Sequence, residues 1–268
     1  MFASKQIARQ WIRTIHSTSR LFTQTRQVHR GFRITPPQIS VRFGATASNN
    51  AKDSFDLGLK YFKGEDGYEQ SPEKAFACFK SAADEGLVGA QANVAVCYVN
   101  GYGVSKDMDT AIKYFELGAA QGDASCQFSL GVRQHELQEY GSAFELFKQS
   151  ASKGHPDALF ATAEMLSHGQ GMSQNLSEAV RYYKLGVQQK HPGSMYKLGL
   201  HCYNGWGTSV NYDDAFKLFL AASELDLVQA MCSLGSCYEE GKGVTKAPFL
   251  AFKWYKKAAD RGNTAAQF

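Results

Sequence analysis

Residues 230–262 read AMCSLGSCYEEGKGVTKAPFLAFKWYKKAADRG, and this stretch decides the fold. It combines a Leu-Gly pair, a tyrosine, a Gly-x-Gly-Val segment, a pair of aromatic residues and a pair of alanines. The same order recurs in earlier copies that begin at Asp53, Ala90, Ala124, Ala158 and Ser194. Repetition at a period of about 36 residues is typical of stacked helix pairs. We therefore predict an all-α, right-handed α-solenoid of six helix-pair repeats.

The predicted solenoid extends over residues 53–268. We expect helix pairs at residues 53–86, 90–122, 124–154, 158–190, 194–226 and 230–262, followed by the start of a seventh repeat. A small residue recurs inside each first helix, where it lowers helix propensity, so we expect another helix to approach closely there. The third repeat lacks Gly-x-Gly, and its loop is shorter by about two residues, which predicts a tighter join between its helices.

The last residues, 265–268, resemble the opening of a further helix with nothing to cover its outer face. Solenoids usually end in a polar cap. Either the sequence is truncated, or this end of the solenoid meets a partner or a second copy of the chain. The second alternative predicts end-to-end self-association.

The run LGSCYEEGKGV at residues 234–244 resembles the Sel-one-like repeat, a relative of the tetratricopeptide repeat. The resemblance covers residues 53–268 and implies a protein-binding superhelix, and we expect no cofactor. It also implies that the first helix of each pair lines a groove for partner segments. The transferred register gives these groove residues: Phe55, Leu59, Phe62, Val96, Val99, Leu130, Arg133, Phe160, Glu164, Tyr196, Leu200 and Tyr203. The alternative is that some of these side chains pack between adjacent first helices.

Charge is unevenly distributed along the chain. The 268 residues carry 29 basic and 25 acidic side chains, a net charge of +4. Eight of the basic residues and none of the acidic ones lie in residues 1–43, so the remainder holds 21 basic and 25 acidic side chains. A mildly acidic solenoid repels phosphate groups, so we expect no nucleic-acid partner. The sequence has no apolar run long enough to predict a transmembrane segment.

Residues 1–43 have the composition of a targeting signal. Ile7, Trp11 and Ile15 share one helical face, and basic residues share another, which predicts an amphipathic basic helix. An Arg-rich segment without acidic residues is typical of a mitochondrial transit peptide. We therefore predict a presequence at 1–43, a linker at 44–52 and a location in the mitochondrial matrix. A disordered basic tail or a surface-binding helix is the alternative.

The sequence offers little sign of metal, nucleotide or disulfide chemistry. The six cysteines include no Cys-x-x-Cys pair, and the histidines include no His-x-x-x-His pair, so we predict no metal site and buried free thiols. The Gly-x-Gly segments lack the preceding strand and the Lys-Ser/Thr pair of a phosphate-binding loop, so we expect no nucleotide site.

Two Ser-x-x-Lys strings, 150–153 and 194–197, resemble the nucleophile motif of β-lactamases. Some bacterial relatives of the family have been described as β-lactamase-like, so a hydrolase is the alternative hypothesis. The accompanying Ser-Asp-Asn and Lys-Thr-Gly motifs are absent from the sequence. We therefore expect a protein that is not an enzyme.

The leading hypothesis is a mitochondrial protein–protein interaction scaffold that binds partner segments in the solenoid groove. A basic leader followed by these repeats resembles family members that act in stress signalling and in the assembly of respiratory complexes. An end-to-end structural oligomer is a further hypothesis.

Overall fold

A computed structural model describes residues 48–261 of the chain. The predicted presequence and the predicted start of a seventh repeat lie outside the described residues. Residues 48–261 form twelve helices and no strand: α1 (Asn49–Lys63), α2 (Pro72–Asp84), α3 (Val88–Asn100), α4 (Met108–Ala120), α5 (Ala124–Glu136), α6 (Tyr140–Ser152), α7 (Pro156–His168), α8 (Leu176–Gln188), α9 (Pro192–Asn204), α10 (Tyr212–Glu224), α11 (Val228–Glu240) and α12 (Pro248–Asp260).

The helices are arranged in two layers. Odd-numbered helices, called A helices here, pack most extensively on the even-numbered B helix that follows them. Each B helix also packs on the next A helix, so that every repeat touches its neighbours in sequence. This pattern confirms the prediction of an all-α solenoid of six helix pairs. The right-handed sense stays a prediction.

A small residue near the centre of each A helix lets the B helix of the same repeat approach. A Cβ atom on Gly58 would lie 2.7 Å from the Phe79 ring, and one on Gly199 would lie 2.6 Å from Phe219. Gly235 stands in the same relation to Tyr255, at 2.7 Å. The loss of helix propensity at these glycines is therefore offset by close packing of an aromatic ring.

Glycine also fixes the loop between the A and B helices. In the second repeat, Gly101 has a φ of 77° and Gly103 a φ of 68°. A Cβ atom on Gly103 would lie 2.1 Å from the carbonyl oxygen of Pro72. The second glycine therefore holds the loop against the start of the B helix in the preceding repeat. Gly171, Gly207 and Gly243 make the same approach to Tyr140, Leu176 and Tyr212.

The observed boundaries correct several predicted ones. Helix α1 begins at Asn49, inside the predicted linker, and α3, α7, α9 and α11 begin two residues before the predicted repeat starts. In the third repeat, the loop between α5 and α6 holds only residues 137–139, against 101–107 in the second repeat. The loop is therefore shorter by four residues, not two. A tighter join was predicted, and Gln138 makes it with a φ of 63°.

Candidate functional site: the exposed surface of the A helices

Several predicted groove residues lie in the core. Phe55, Leu59, Val96 and Glu164 are buried, so the prediction that they line an open groove is wrong. The other eight predicted groove residues are partly exposed: Phe62, Val99, Leu130, Arg133, Phe160, Tyr196, Leu200 and Tyr203.

Three of the predicted aromatic groove residues face the B helix of their own repeat. The ring centroid of Phe55 lies 5.6 Å from that of Phe79, and Tyr196 lies 5.9 Å from Phe219. Phe160 lies 6.2 Å from Tyr183 in the same way. These rings are part of the contact between helices A and B. Phe160 and Tyr196, which were predicted to line the groove, are therefore largely packing contacts.

The transferred register is also displaced in the third repeat. Gly131 is the residue that meets the B helix, because a Cβ atom there would lie 2.8 Å from Phe147. Leu130 is therefore the counterpart of Val94. The counterparts of Val96 and Val99 are Val132 and His135, which lie two residues after Leu130 and Arg133. Arg133 forms an ion pair with Glu136 at 3.7 Å.

A recurring contact joins the A helices of repeats one, three and five to the loop of the next repeat. Its first partner lies four residues after the close-contact glycine or alanine, and its second is the central residue of Gly-x-Gly. Phe62 and Tyr102 stack edge to face at 5.7 Å, His135 Nε2 lies 3.4 Å from Gln170 Oε1, and Lys242 Nζ donates to Tyr203 Oη at 3.0 Å. Phe62 and Tyr203 thus lie on seams between repeats.

The last residue of each A helix gives the A layer a polar row, which is exposed in every repeat but the second, where it is partly exposed. We call this row the A surface, and its residues are Lys63, Asn100, Glu136, His168, Asn204 and Glu240. Asn100 Nδ2 donates to the Val96 carbonyl at 3.0 Å, and Asn204 Nδ2 donates to the Leu200 carbonyl at 2.9 Å. In the four repeats that have a Gly-x-Gly segment, the position was visible in the sequence as the residue before that segment, but the transferred register did not include it.

A buried polar network crosses the seam between the fourth and fifth repeats. Glu164 is 1% exposed, accepts a hydrogen bond from Tyr183 Oη, and pairs with Lys197 Nζ at 2.6 Å. Burial raises the pKa of Tyr183 above its usual range, and the neighbouring Glu164 adds to this effect. His201 Nδ1 lies 2.7 Å from the Trp206 carbonyl oxygen, and burial lowers the pKa of His201. The network ties the A helices of two repeats together.

The polar partner of Tyr183 follows a rule within the chain. Where the B helix carries tyrosine, the residue after the close-contact position is polar: Glu164 meets Tyr183, and Ser236 lies 3.0 Å from Tyr255 Oη. Where the B helix carries phenylalanine, that residue is apolar, as with Leu200 beside Phe219. The buried phenol therefore comes with its own hydrogen-bond partner.

A second polar cluster lies at the seam between the fifth and sixth repeats. Lys242 Nζ lies 2.7 Å from Glu240 and 4.7 Å and 5.2 Å from the ring centroids of Tyr203 and Tyr212. Hydrogen bonds from Lys242 and Tyr203 lower the pKa of the Glu240 carboxyl. The ammonium group is thus held by two aromatic faces and one carboxylate.

The structure brings together one triad of catalytic residue types. Ser194 Oγ lies 2.9 Å from His191 Nδ1, and His191 Nε2 lies 3.4 Å from Asp157. However, Ser194 is 0% exposed, and a Cβ atom on Gly186 would lie 2.2 Å from its hydroxyl oxygen. His191 also accepts the Ser194 N–H and caps α9. This geometry explains the triad as a helix cap and gives a substrate no surface at Ser194.

The other Ser-x-x-Lys string is likewise a packing contact. Ser150 is buried and donates to the Ala124 carbonyl at 2.6 Å, and Lys153 Nζ donates to the Gly122 carbonyl. Neither serine is therefore placed as an accessible nucleophile.

Cysteine and histidine do not assemble a metal centre in residues 48–261. All six cysteines are free thiols. Burial raises the pKa of Cys97 to about 12 and that of Cys237 to about 11, so both stay protonated at neutral pH. No helix of the described part is long and apolar enough to span a bilayer.

Comparison with known proteins accounts for the repeat. The model of the Sel1 repeat matches residues 54–87, 88–123, 124–155, 156–191, 192–227 and 228–263. The chain belongs to the Sel1 repeat family. The matched segments reproduce the six helix pairs of the structure, including the shorter third repeat. The Sel1 repeat fold is typical of protein–protein interaction scaffolds.

Two solved structures share this fold over most of the chain. The protein c5321, a protective antigen of uropathogenic Escherichia coli displaying an SLR fold, superposes with a TM-score of 0.74 at 31% identity, covering 81% of this chain and 47% of that one. A Sel1 repeat protein from Oxalobacter formigenes superposes with a TM-score of 0.70 at 25% identity, covering 78% of this chain and 85% of that one.

Sequence similarity to curated proteins is local. DAP3-binding cell death enhancer 1 of Rattus norvegicus is 32% identical over 90 residues, which are 32% of this chain and 17% of that protein. The protein of the same name from Mus musculus matches equally. The matched region thus spans less than a fifth of these relatives.

Proposed function

We propose that this Sel1 repeat protein is an interaction scaffold that binds an extended partner segment along the A surface of repeats four to six. The observation that carries the proposal is the row of polar residues that ends each A helix, exposed in repeats four to six at His168, Asn204 and Glu240. Asn204 uses its Nδ2 on its own helix, which leaves Oδ1 as the atom that a partner N–H can reach. An extended segment presents its backbone N–H groups at regular intervals, as such a row requires.

The polar networks beneath this surface support the proposal. Glu164–Lys197 and Tyr203–Lys242 each join two repeats, so the spacing between successive exposed residues is held by contacts of charged groups. A preorganised surface spends less free energy on ordering when a partner binds. This is why the fourth, fifth and sixth repeats are favoured over the first three.

The test compares two triple alanine variants. His168, Asn204 and Glu240 are replaced in the first, and Lys80, Lys148 and Lys184, on the B helices, are replaced in the second. Proteins captured in cells by the wild-type chain should be lost from the first variant and kept by the second, with both melting near the wild-type temperature. Loss of the same partners from both variants, or from neither, would exclude the A surface.

We also propose import into mitochondria, which the composition of residues 1–43 supports. A fluorescent fusion of residues 1–50 should reach mitochondria, and a fusion in which the eight basic residues are replaced by glutamine should not. A cytosolic wild-type fusion would contradict the proposal.

The names of the rat and mouse relatives suggest a partner to test. They are named for binding DAP3 and for enhancing cell death, and their similarity to this chain supports a stress-signalling role as a proposal. Co-precipitation of DAP3 with the wild-type chain, and not with the His168, Asn204 and Glu240 variant, is the expected result. Equal recovery of DAP3 with the wild-type chain and with the variant would show that DAP3 does not bind through the A surface.

A further inference from the structure

Helix α12 departs from the other B helices in its first turn. At the second position, the five preceding B helices carry acidic, small polar or glycine residues: Glu73, Asp109, Gly141, Ser177 and Asp213. Helix α12 carries Phe249 there. Its N-cap, Ala247, makes no side-chain cap, as Glu139 of α6 also makes none, whereas Asn211 caps α10. The start of α12 therefore lacks both a cap and the acidic residues that stabilise a helix N-terminus, so helix stability does not explain its sequence.

The side chain that replaces the acidic residue projects into solvent. Phe249 is 68% exposed and Phe252 is 64% exposed, more than any other large apolar side chain in residues 48–261. Phe252 stands where Phe76 and Phe216 contact a tyrosine of the following repeat. Phe249 has no such counterpart, because the other repeats are polar or glycine at its position. Phe249 is thus an apolar ring that the repeat pattern does not require, whereas Phe252 occupies a position that the following repeat contacts in other parts of the chain.

Lysines surround these rings. Lys253 Nζ lies 4.5 Å from the centroid of Phe249, and Lys257 Nζ lies 4.7 Å from that of Trp254. Lys256 is exposed between the two phenylalanines on the helical wheel. None of the three lysines forms an ion pair with a carboxylate of residues 48–261. Phe249, Phe252, Lys253, Lys256 and Lys257 share the outward side of the helix, and we call these five residues the α12 patch. Trp254 is half-buried and lies beside this patch.

The positive charge is local to the sixth repeat. Residues 228–261 hold six basic and three acidic side chains, whereas residues 48–86 hold five basic and eight acidic ones. The α12 patch is therefore a basic surface on a solenoid whose other repeats are neutral or acidic. Its partner should carry negative charge and accept protruding apolar rings.

We propose that the α12 patch binds the surface of an anionic lipid bilayer. Phenylalanine rings enter the boundary between headgroups and acyl chains, and lysine stems extend along the apolar surface while their ammonium groups meet phosphate. The rings protrude from a helix surface, and a bilayer accepts protruding rings without a matching pocket. An acidic protein would need pockets shaped for both rings, so the lipid surface is the better fit.

The full chain is tested by sedimentation with vesicles of phosphatidylcholine, alone or with about one third phosphatidylglycerol. The wild-type chain should bind the anionic vesicles, and added salt should weaken binding. Phe249→Asp, which restores the residue type of Asp213, should lower vesicle binding about tenfold or more. It should leave the melting temperature unchanged or higher, because it adds an acidic residue to the first helical turn. This separates loss of binding from loss of folding.

A charge-matched pair of variants locates the site. Lys253→Glu with Lys256→Glu should abolish binding that depends on the α12 patch. Lys217→Glu with Lys184→Glu changes the net charge equally at the same positions of the fifth and fourth repeats, and it should bind nearly as the wild type does. Equal losses from both pairs would overturn the proposal, because binding would then follow net charge alone.

The basic residues of 1–43 can also attract anionic vesicles, so a measurement is needed that reports on α12 itself. With Trp11→Phe and Trp206→Phe, Trp254 is the one remaining tryptophan. Brominated lipid should quench its fluorescence, and Phe249→Asp should remove the quenching. Absence of quenching in the parent variant would overturn the proposal. Two further outcomes would overturn the proposal if Phe249→Asp left vesicle binding unchanged. One is binding of polyglutamate by the α12 patch, and the other is a dimer in lipid-free buffer that Phe249→Asp abolishes.

Discussion

At the scale of single residues, the close-contact glycines set the distance between the two helices of a repeat. Gly199→Ala places a Cβ atom 2.6 Å from the Phe219 ring, which must move within a packed core. We expect a loss of about 1–3 kcal/mol in the free energy of unfolding, measured by urea denaturation. Gly141 is the control, because a Cβ atom there has no neighbour within 4 Å. Gly141→Ala should stabilise by about 0.5 kcal/mol, and equal effects would contradict the packing argument.

The buried Glu164 network makes a second prediction at this scale. Lys197→Met leaves the Glu164 carboxylate buried without its cation, so we expect a loss of about 3 kcal/mol in unfolding free energy. Adding Glu164→Leu and Tyr183→Phe recreates the apolar pairing of Leu200 with Phe219, and most of the loss should be recovered. Urea denaturation at neutral pH measures both. If Lys197→Met alone were as stable as the wild type, the Glu164–Lys197 ion pair would contribute little to stability.

His201 predicts a pH dependence of stability. Burial lowers its pKa in the folded protein, so the unfolded chain binds the proton more tightly. The folded state is therefore favoured above the unfolded pKa of about 6.5, and this contribution is lost as the pH falls below it. Glu164, Lys197 and His168 are the charged or titratable groups that influence His201. Between pH 7.5 and 5.5, His201→Gln should lose less stability than the wild type in urea denaturation; a parallel loss would assign the effect to other groups.

At the scale of helices and loops, the sequence predicts the framework well and the exposed surface poorly. The period, the close-contact glycines and the Gly-x-Gly loops are each determined by local chemistry, so the helix pairs follow from them. The groove residues do not. Whether Tyr196 faces a partner or Phe219 depends on the angle between two helices, and a repeat pattern does not contain that angle.

In the third repeat, the groove residues transferred from the repeat family were displaced by two positions. Its start at Ala124 was predicted correctly, but the spacing from there was compared with copies that begin two residues into their A helices. Leu130 and Arg133 were displaced as a result. Gly131 carried the correct signal, since it is the glycine that faces the B helix of that repeat.

At the scale of the whole solenoid, the two proposed surfaces lie on different layers. The A surface belongs to the odd-numbered helices, and the α12 patch belongs to the last B helix of the described residues. A chain attached to a bilayer through α12 would keep its A surface available to a partner. Membrane attachment and scaffolding are therefore compatible, and each is tested by variants that leave the other surface unchanged.

The short loop of the third repeat has a consequence for the solenoid as a whole. Second glycines of the loops hold the seams before repeats two, four, five and six, but residues 137–139 provide no such loop before repeat three. We expect native-state hydrogen exchange to resolve α1–α4 and α5–α12 as separate blocks with different opening free energies. Replacing residues 137–139 by the sequence of residues 101–107 should merge the blocks. A single opening free energy in the wild-type chain would contradict this.

Such a discontinuity would act as a thermodynamic insulator. In a linear array, the effect of a bound ligand on distant repeats is passed only through the intervening interfaces, and it is attenuated most at the weakest one. Occupancy of repeats four to six would then leave the fluctuations of the first two repeats almost unchanged. Binding of a partner at one end of the solenoid would then have little effect on the affinity of the other end for a different partner.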